Sequence, residues 1–180
     1  MKRRAAMFPG ATLQEIAAMN DNRLIRPARA DDLKGILAFQ RAAIAAINPR
    51  TYSAEARDAW ARLPAAGMQE LVASGRYLVA EIGARLAGGA GWEPLDEPDQ
   101  AAAVRAVFVH PDLHGRGLGA RLVGAVEALI AAAGRRRILV PAALNTVSFY
   151  QRLGYVANEM AVAALDGADL RYRRMWKTAA

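Results

Sequence analysis

Along the 180-residue chain the spacing of apolar positions changes repeatedly, and each change predicts a different element. Residues 23–28 read as a first strand. After it Leu33, Ile36, Leu37, Ile44 and Ile47 recur at helical spacing, with Asp31 as the expected cap and Pro49 as the stop. A second helical region spans about 54–73 and is interrupted at Pro64 and Gly67. Residues 76–82 and 85–92 predict a hairpin about Gly83-Ala84. The stretch 93–100 holds two prolines and four acids and predicts a loop. Residues 101–109 form a nearly continuous apolar run, as in a central strand buried on both faces.

In the second half, Leu118, Leu122, Val126 and Leu129 mark a helix to about residue 133. Residues 137–141 predict a short strand, and Asn145 is expected to cap a helix ending near Leu153. Two strands, 155–163 and 170–177, then join around Asp166-Gly167. The order is an α+β layout, an antiparallel-rich sheet with helices on both faces, because a doubly wound fold would alternate strand and helix throughout. No repeat or linker divides residues 22–180, which read as one domain. Residues 1–21 read as an N-terminal extension, in which Thr12 and Glu15 form a capping-box pattern for a short helix at 13–19.

Composition adds mainly exclusions. At 54% hydrophobic and 23% charged the chain is ordinary for a globular protein. No apolar run reaches the roughly 18 residues that span a bilayer. The basic start Met1-Lys2-Arg3-Arg4 is followed by an apolar stretch broken at Pro9-Gly10, so no signal-peptide core forms, and a cytoplasmic protein with no membrane partner is expected. Absence of cysteine excludes a disulfide framework, thiolate metal sites and a cysteine nucleophile, and no metal is expected. The net charge of +7 favours anionic ligands without selecting one. Its tightest basic cluster, Arg135-Arg136-Arg137, has no aromatic beside it and suits a helix C-terminus, so nucleic acid is not the expected partner.

The chemistry is concentrated in Val107-Phe108-Val109-His110-Pro111-Asp112-Leu113-His114-Gly115-Arg116-Gly117-Leu118-Gly119. A buried strand stops at a proline, loops, and enters an amphipathic helix through three alternating glycines. Such an entry leaves backbone N–H groups unpaired at the positive end of the helix dipole, which suits a phosphate or diphosphate. Glycine lets the ligand approach the backbone closely, and Arg116 and Arg121 add fixed charge. The segment lacks the lysine and Ser/Thr of a P-loop, and its glycines do not follow the dinucleotide spacing.

These residues resemble the central motif of the GNAT superfamily of acetyltransferases: V-x-P, then Q/R-x-x-G-x-G/A, then a helix. Gly117 and Gly119 fall on the two glycine positions, with His114 where Gln or Arg is usual. Phe149-Tyr150-Gln151-Arg152-Leu153-Gly154-Tyr155 is similar to a second segment of that family, F-Y-x-x-x-G-F/Y. The resemblance follows the order of elements over about residues 23–177 and is sharp over 105–122 and 145–155. It implies a single-domain fold with a mixed, mostly antiparallel, twisted sheet and a splayed central strand pair. It further implies acetyl-CoA as co-substrate, its diphosphate held by His114, Gly115, Arg116, Gly117, Leu118, Gly119 and Ala120. The pantetheine arm would pair with Val107, Phe108 and Val109. Tyr150 would be the general acid that protonates the departing thiolate.

On that resemblance the chain is expected to move an acetyl group to a primary amine, carried on a small molecule or a peptide, by direct attack in a ternary complex. Dimers are common among such proteins, so a homodimer is a compatible state. Three positions depart from the family pattern. His114 replaces the usual side chain; Ala143 stands where many members have Asn, leaving Asn145 as the substitute; and Ala101-Ala102-Ala103 stands where many carry a glutamate base. Among the remaining carboxylates, Glu81, Glu93, Asp96, Glu97 and Asp99, the preferred base is Glu93, expected just after a strand. Tyr52, Trp60 and Trp92 are candidates to line an acceptor site. Two other classes stay open: a non-catalytic acyl-CoA-binding sensor, favoured by the missing strand glutamate, and a basic nucleic-acid-binding domain, favoured by charge alone.

Overall fold

The computed structural model describes residues 25–83, 85–96 and 100–179. The extension at 1–21 with its expected helix, the first residues of the first strand, and Glu97 and Asp99 lie outside the described residues.

Seven strands form one sheet: β1 (Ile25–Pro27), β2 (Tyr77–Ile82), β3 (Arg85–Pro94), β4 (Ala101–Val109), β5 (Arg137–Ala143), β6 (Val156–Leu165) and β7 (Ala168–Thr178). Their spatial order is β1-β2-β3-β4-β5-β7-β6. Neighbours are antiparallel except β4 and β5, which run parallel. A parallel pair needs a crossover, supplied here by a helix at Leu118–Ala132. The other helices are α1 (Leu33–Ala45), α2 (Ala54–Ala61), α3 (Ala66–Ala73) and α5 (Val147–Arg152), the crossover being α4.

Each face of the sheet carries its own core. On one, α4 buries Leu118, Leu122, Val123, Val126 and Ile130 against Leu78, Ala80, Trp92, Val104 and Ile138. On the other, Ile36 and Phe39 of α1 and Met68 and Val72 of α3 pack on Tyr77 and Val79. Successive residues of β2 therefore serve opposite cores, the two-residue period of a strand buried on both sides. This is the expected α+β layout, with helices on both faces.

Several local expectations change. The N–H of Arg29 donates to the Asp32 carboxylate at 2.7 Å across the 3₁₀ turn (Ala30–Asp32) that leads into α1, and α1 itself starts after Asp32 with no side-chain cap, so Asp31 does not cap it. The second helical region is two helices, broken around Pro64, with Gly67 inside α3. β3 runs on to Pro94, pairing Glu93 with Ala103, so the loop begins later than the acids and prolines suggest. Cross-strand pairing with an apolar neighbour overrides the weak strand preference of Glu and Pro. Trp92 is buried in the core beneath α4, where Arg76 lies 5.7 Å over its ring. Asn145 caps nothing: it sits exposed in a short 3₁₀ turn (Leu144–Thr146), and Thr146 is the residue that precedes α5.

β4 is itself irregular past its midpoint. Its register against β3 shifts between Gly89 and Gly91, and Ala106 takes φ 50°, a left-handed conformation uncommon for a residue with a Cβ. One extra residue therefore sits in β4 at this point, a β-bulge. Two core side chains mark it, since Val104 and Val107 both face α4 with two residues between them rather than one.

Candidate functional site

β4 and β5 are paired only over Ala101–Ala103 and Arg137–Leu139. Beyond that both strands continue, β4 to Val109 and β5 to Ala143, without pairing to each other. The sheet is split down its centre, leaving one edge of β4 with peptide groups that β3 does not use. Their identity follows from alternation. The His110 N–H donates to Ala87 O across the β3 ladder at 2.9 Å, so Phe108 and His110 point their polar groups at β3. Val107 and Val109 then point theirs into the split. His114 agrees: its Nε2 lies 2.9 Å from the Val109 carbonyl oxygen, an acceptor only, so that nitrogen carries the proton.

At the end of β4 the chain turns through a 3₁₀ segment (Pro111–Leu113) and reaches α4 through glycines. Gly115 and Gly117 have φ of 75° and 79°, and nothing lies within 4 Å of where a Cβ on either would be. Their glycine requirement is conformational: the left-handed backbone aims the following N–H groups outward. Gly117 is the N-cap of α4 and no side chain caps the helix. The Arg121 N–H is bonded to Gly117 O at 3.1 Å. The N–H groups of Leu118, Gly119 and Ala120 precede that bond and have no intrahelical acceptor.

Gly119 plays a different part. A Cβ there would lie 3.4 Å from Phe149 Cζ and 3.7 Å from Val109 Cγ2. The end of β4, the first turn of α4 and α5 thus meet at this residue. Phe149 and Tyr150 stack edge to face at 4.9 Å, and Tyr150 meets Tyr155 in the same way at 5.5 Å. Tyr150 is 4% exposed, and burial pushes its hydroxyl well above the ordinary tyrosine range, so it holds its proton at all physiological pH. Gly154, at φ 87°, ends the helix in the left-handed conformation and turns the chain into β6.

The predicted residues therefore fall into two groups. Val107, Val109, His114, Gly115, Arg116, Gly117, Leu118, Gly119 and Ala120 lie along the end of β4 and the start of α4, and Tyr150 adjoins them through its ring contact with Phe149. Phe108 and Glu93 lie apart from that group, and Asn145 follows the end of β5, the other strand of the split. Phe108 turns its ring to the opposite face, 5.8 Å from Trp60, which in turn lies 6.1 Å from Tyr52. Glu93 is half-exposed and pairs with Arg105 Nε at 3.2 Å. Tyr52 is buried; its hydroxyl donates to Arg171 O at 2.5 Å and accepts from Leu144 N at 2.9 Å, tying β7 to the turn after β5. Beside it a cavity of about 270 Å³ opens between Thr51, Ser53, Leu144 and Asp169. Among the described residues no group of three His, Asp or Glu is placed to hold a metal ion, and no helix is long and apolar enough to cross a membrane.

The bulge at Ala106 is not foreseen from the sequence. No proline or glycine marks it in β4, and the one available signal is indirect: the run Gly88-Gly89-Ala90-Gly91 on the facing strand.

Comparison with known proteins points the same way. The acetyltransferase (GNAT) domain family matches residues 73–157. A GCN5-related N-acetyltransferase from Rhodopseudomonas palustris is 31% identical over 86% of this chain and 94% of its own, with a TM-score of 0.72. An N-acetyltransferase from Thermoplasma acidophilum, solved with coenzyme A, shares the fold at 18% identity and a TM-score of 0.66, covering 86% and 97% of the two chains. A protein from Salmonella typhimurium, solved with acetyl-CoA, does so at 21% identity and 0.61, over 87% and 93%. No curated protein matches the chain.

Proposed function

The chain belongs to the GCN5-related N-acetyltransferase (GNAT) family, and from that premise we propose that it transfers the acetyl group of acetyl-CoA to a primary amine in a ternary complex. The observation that carries this reading is the convergence of three features at Gly119: the split edge of β4, the uncapped start of α4, and the ring pair of Phe149 and Tyr150.

The residues fit the co-substrate. The backbone from His114 to Ala120 would hold the diphosphate, because it offers several unpartnered N–H donors and the positive end of a helix dipole. Arg116 and Arg121 would add charge. The Val107 and Val109 peptide groups would pair with the amides of the pantetheine arm as a strand would, and the strand N–H nearest the thioester would polarise its carbonyl. Phe108, whose polar groups are turned to β3, would contribute position rather than a hydrogen bond.

In the proposed reaction the amine nitrogen forms a bond to the thioester carbonyl carbon, and the carbon–sulfur bond then breaks. Tyr150 donates its proton to the departing sulfur and regains one through water from the protonated nitrogen of the tetrahedral intermediate, which collapses to the neutral amide. Glu93 is the proposed acceptor of the amine's own proton, also through water. The amine would approach past Trp60 and the cavity beside Tyr52, on the face to which Phe108 turns. A related structure is that of an agmatine N-acetyltransferase, 15% identical, which supports an amine as the acceptor class without specifying it.

A thermal-shift titration tests the reading. Acetyl-CoA should raise the melting temperature of the wild type progressively, and Gly117→Glu should abolish that rise by placing a carboxylate at the anion site. Absence of any shift with acetyl-CoA, CoA or longer acyl-CoA would refute it. A shift without turnover on any amine would favour a CoA-binding sensor.

A further inference from the structure

We propose that Tyr77, on β2 and remote in sequence from every residue assigned above, is a positioning residue that holds the bulge at Ala106 and thereby aims the β4 edge into the split. The inference rests on reading that split as the pantetheine site.

Before the bulge, the Leu95 N–H donates to Ala101 O at 2.9 Å, so Ala101, Ala103 and Arg105 point their polar groups at β3. Were β4 regular, Val107 and Val109 would do the same, and their peptide groups would be consumed in the ladder. The inserted residue reverses the phase: Phe108 and His110 take over the bonds to β3, and Val107 and Val109 are released toward the split. Without the bulge the split would still exist, but it would be lined by the wrong peptide groups.

The bulge leaves the Ala106 carbonyl outside the regular ladder, and a buried carbonyl needs a donor. Tyr77 supplies it, with its hydroxyl 3.1 Å from Ala106 O. The tyrosine is 0% exposed, locked among Ile36, Phe39 and Val79. Its ring can cross β3 only because that strand has no side chains in its path. A Cβ on Gly89 would come within 2.6 Å of the Tyr77 hydroxyl oxygen, and one on Gly91 within 2.7 Å of Cδ2. Two glycines, a tyrosine and a strained alanine therefore form one device whose output is the direction of the Val107 and Val109 peptides.

Tyr77→Phe keeps the ring and removes only the donor. Calorimetric titration of the full chain with CoA and with 3′-phospho-ADP, which carries the diphosphate but no pantetheine, separates the bulge from the loop. CoA should bind the variant about tenfold more weakly and 3′-phospho-ADP equally well. Equal CoA affinity in both proteins, or an equal loss for both ligands, would overturn the inference while leaving the co-substrate reading intact. Failure of the wild type to bind either ligand would overturn that reading and the inference with it. A second measurement needs no variant. In the free wild type, the Val107 and Val109 amides should exchange hydrogen faster than those of Phe108 and His110, and CoA should slow them; protection before CoA is added would refute the assignment.

Discussion

Replacing Tyr150 with phenylalanine deletes a single oxygen from a side chain that is 4% exposed. The ring keeps its edge-to-face contacts with Phe149 at 4.9 Å and Tyr155 at 5.5 Å, so packing is preserved and the melting temperature should move by less than about 3 °C. Turnover has a different dependence. A positioned general acid contributes about 10²–10⁴-fold. The lower end applies here for two reasons: a thiolate departs more readily than an alkoxide, and burial makes the Tyr150 hydroxyl a weaker acid than usual. We expect kcat to fall about 100-fold, close to 2.7 kcal/mol in the barrier, with acetyl-CoA affinity unchanged. The assay is release of free thiol from acetyl-CoA with the best acceptor from a panel of a polyamine, an aminoglycoside and an amino-terminal peptide. In the wild type the raised hydroxyl should also give no alkaline loss of kcat from Tyr150 below pH 10.0, the ordinary tyrosine value. Full turnover by Tyr150→Phe would refute the acid role and leave the residue as packing.

Further predictions concern charge and glycine. Glu93→Gln should lower kcat about tenfold near neutral pH and less at alkaline pH, where the amine arrives already deprotonated; a loss independent of pH would refute a base role. Because Glu93 and Arg105 are both about half-exposed, their ion pair adds little stability, and the variant's melting temperature should stay within about 2 °C. Asp32→Asn removes a carboxylate that takes both guanidinium nitrogens of Arg26 at 2.7 and 2.9 Å, in a site where Arg26 also meets Glu81. It should lower the melting temperature by about 5 °C at neutral pH. The hydrogen bonds from Arg26 hold the Asp32 carboxyl below its ordinary 3.8, so its contribution is present above that pH and is lost as pH falls through the lower folded value. The difference between wild type and variant in thermal melts should therefore vanish at strongly acid pH. Gly89→Ala, whose Cβ would press within 2.6 Å of Tyr77 and 2.8 Å of Leu78 O, should destabilise the fold by at least about 2 kcal/mol in urea titration, and a neutral effect would refute the packing argument.

Much of the site is legible in the chain because its instructions are local. Gly115, Gly117 and Gly154 all adopt positive φ, and a residue's need for left-handed backbone is written into its identity. Where the instruction is shared with a distant partner, the sequence misleads. Acids and prolines after Glu93 place it in a loop, yet pairing with Ala103 keeps it in β3. Asn145 has the right chemistry for a cap, but the 3₁₀ turn leaves it exposed and Thr146 takes the position before α5. Trp92 could have faced a ligand or the core, and only the packing of α4 decides for the core.

The order of elements, the run of β4 and the glycine-led entry into α4 can be read along the chain, since periodicity, turn residues and helix ends are properties of sequence neighbours. Tertiary structure alone decided the strand order, with β7 between β5 and β6, and the length over which β4 and β5 stay together. It alone decided which peptide groups of β4 are free. That choice turns on one inserted residue, Ala106, whose carbonyl is met by a tyrosine 29 positions away. An alanine carries no local preference for left-handed backbone, so nothing in its neighbourhood announces the bulge; the conformation exists because β2, β3 and β4 together impose it.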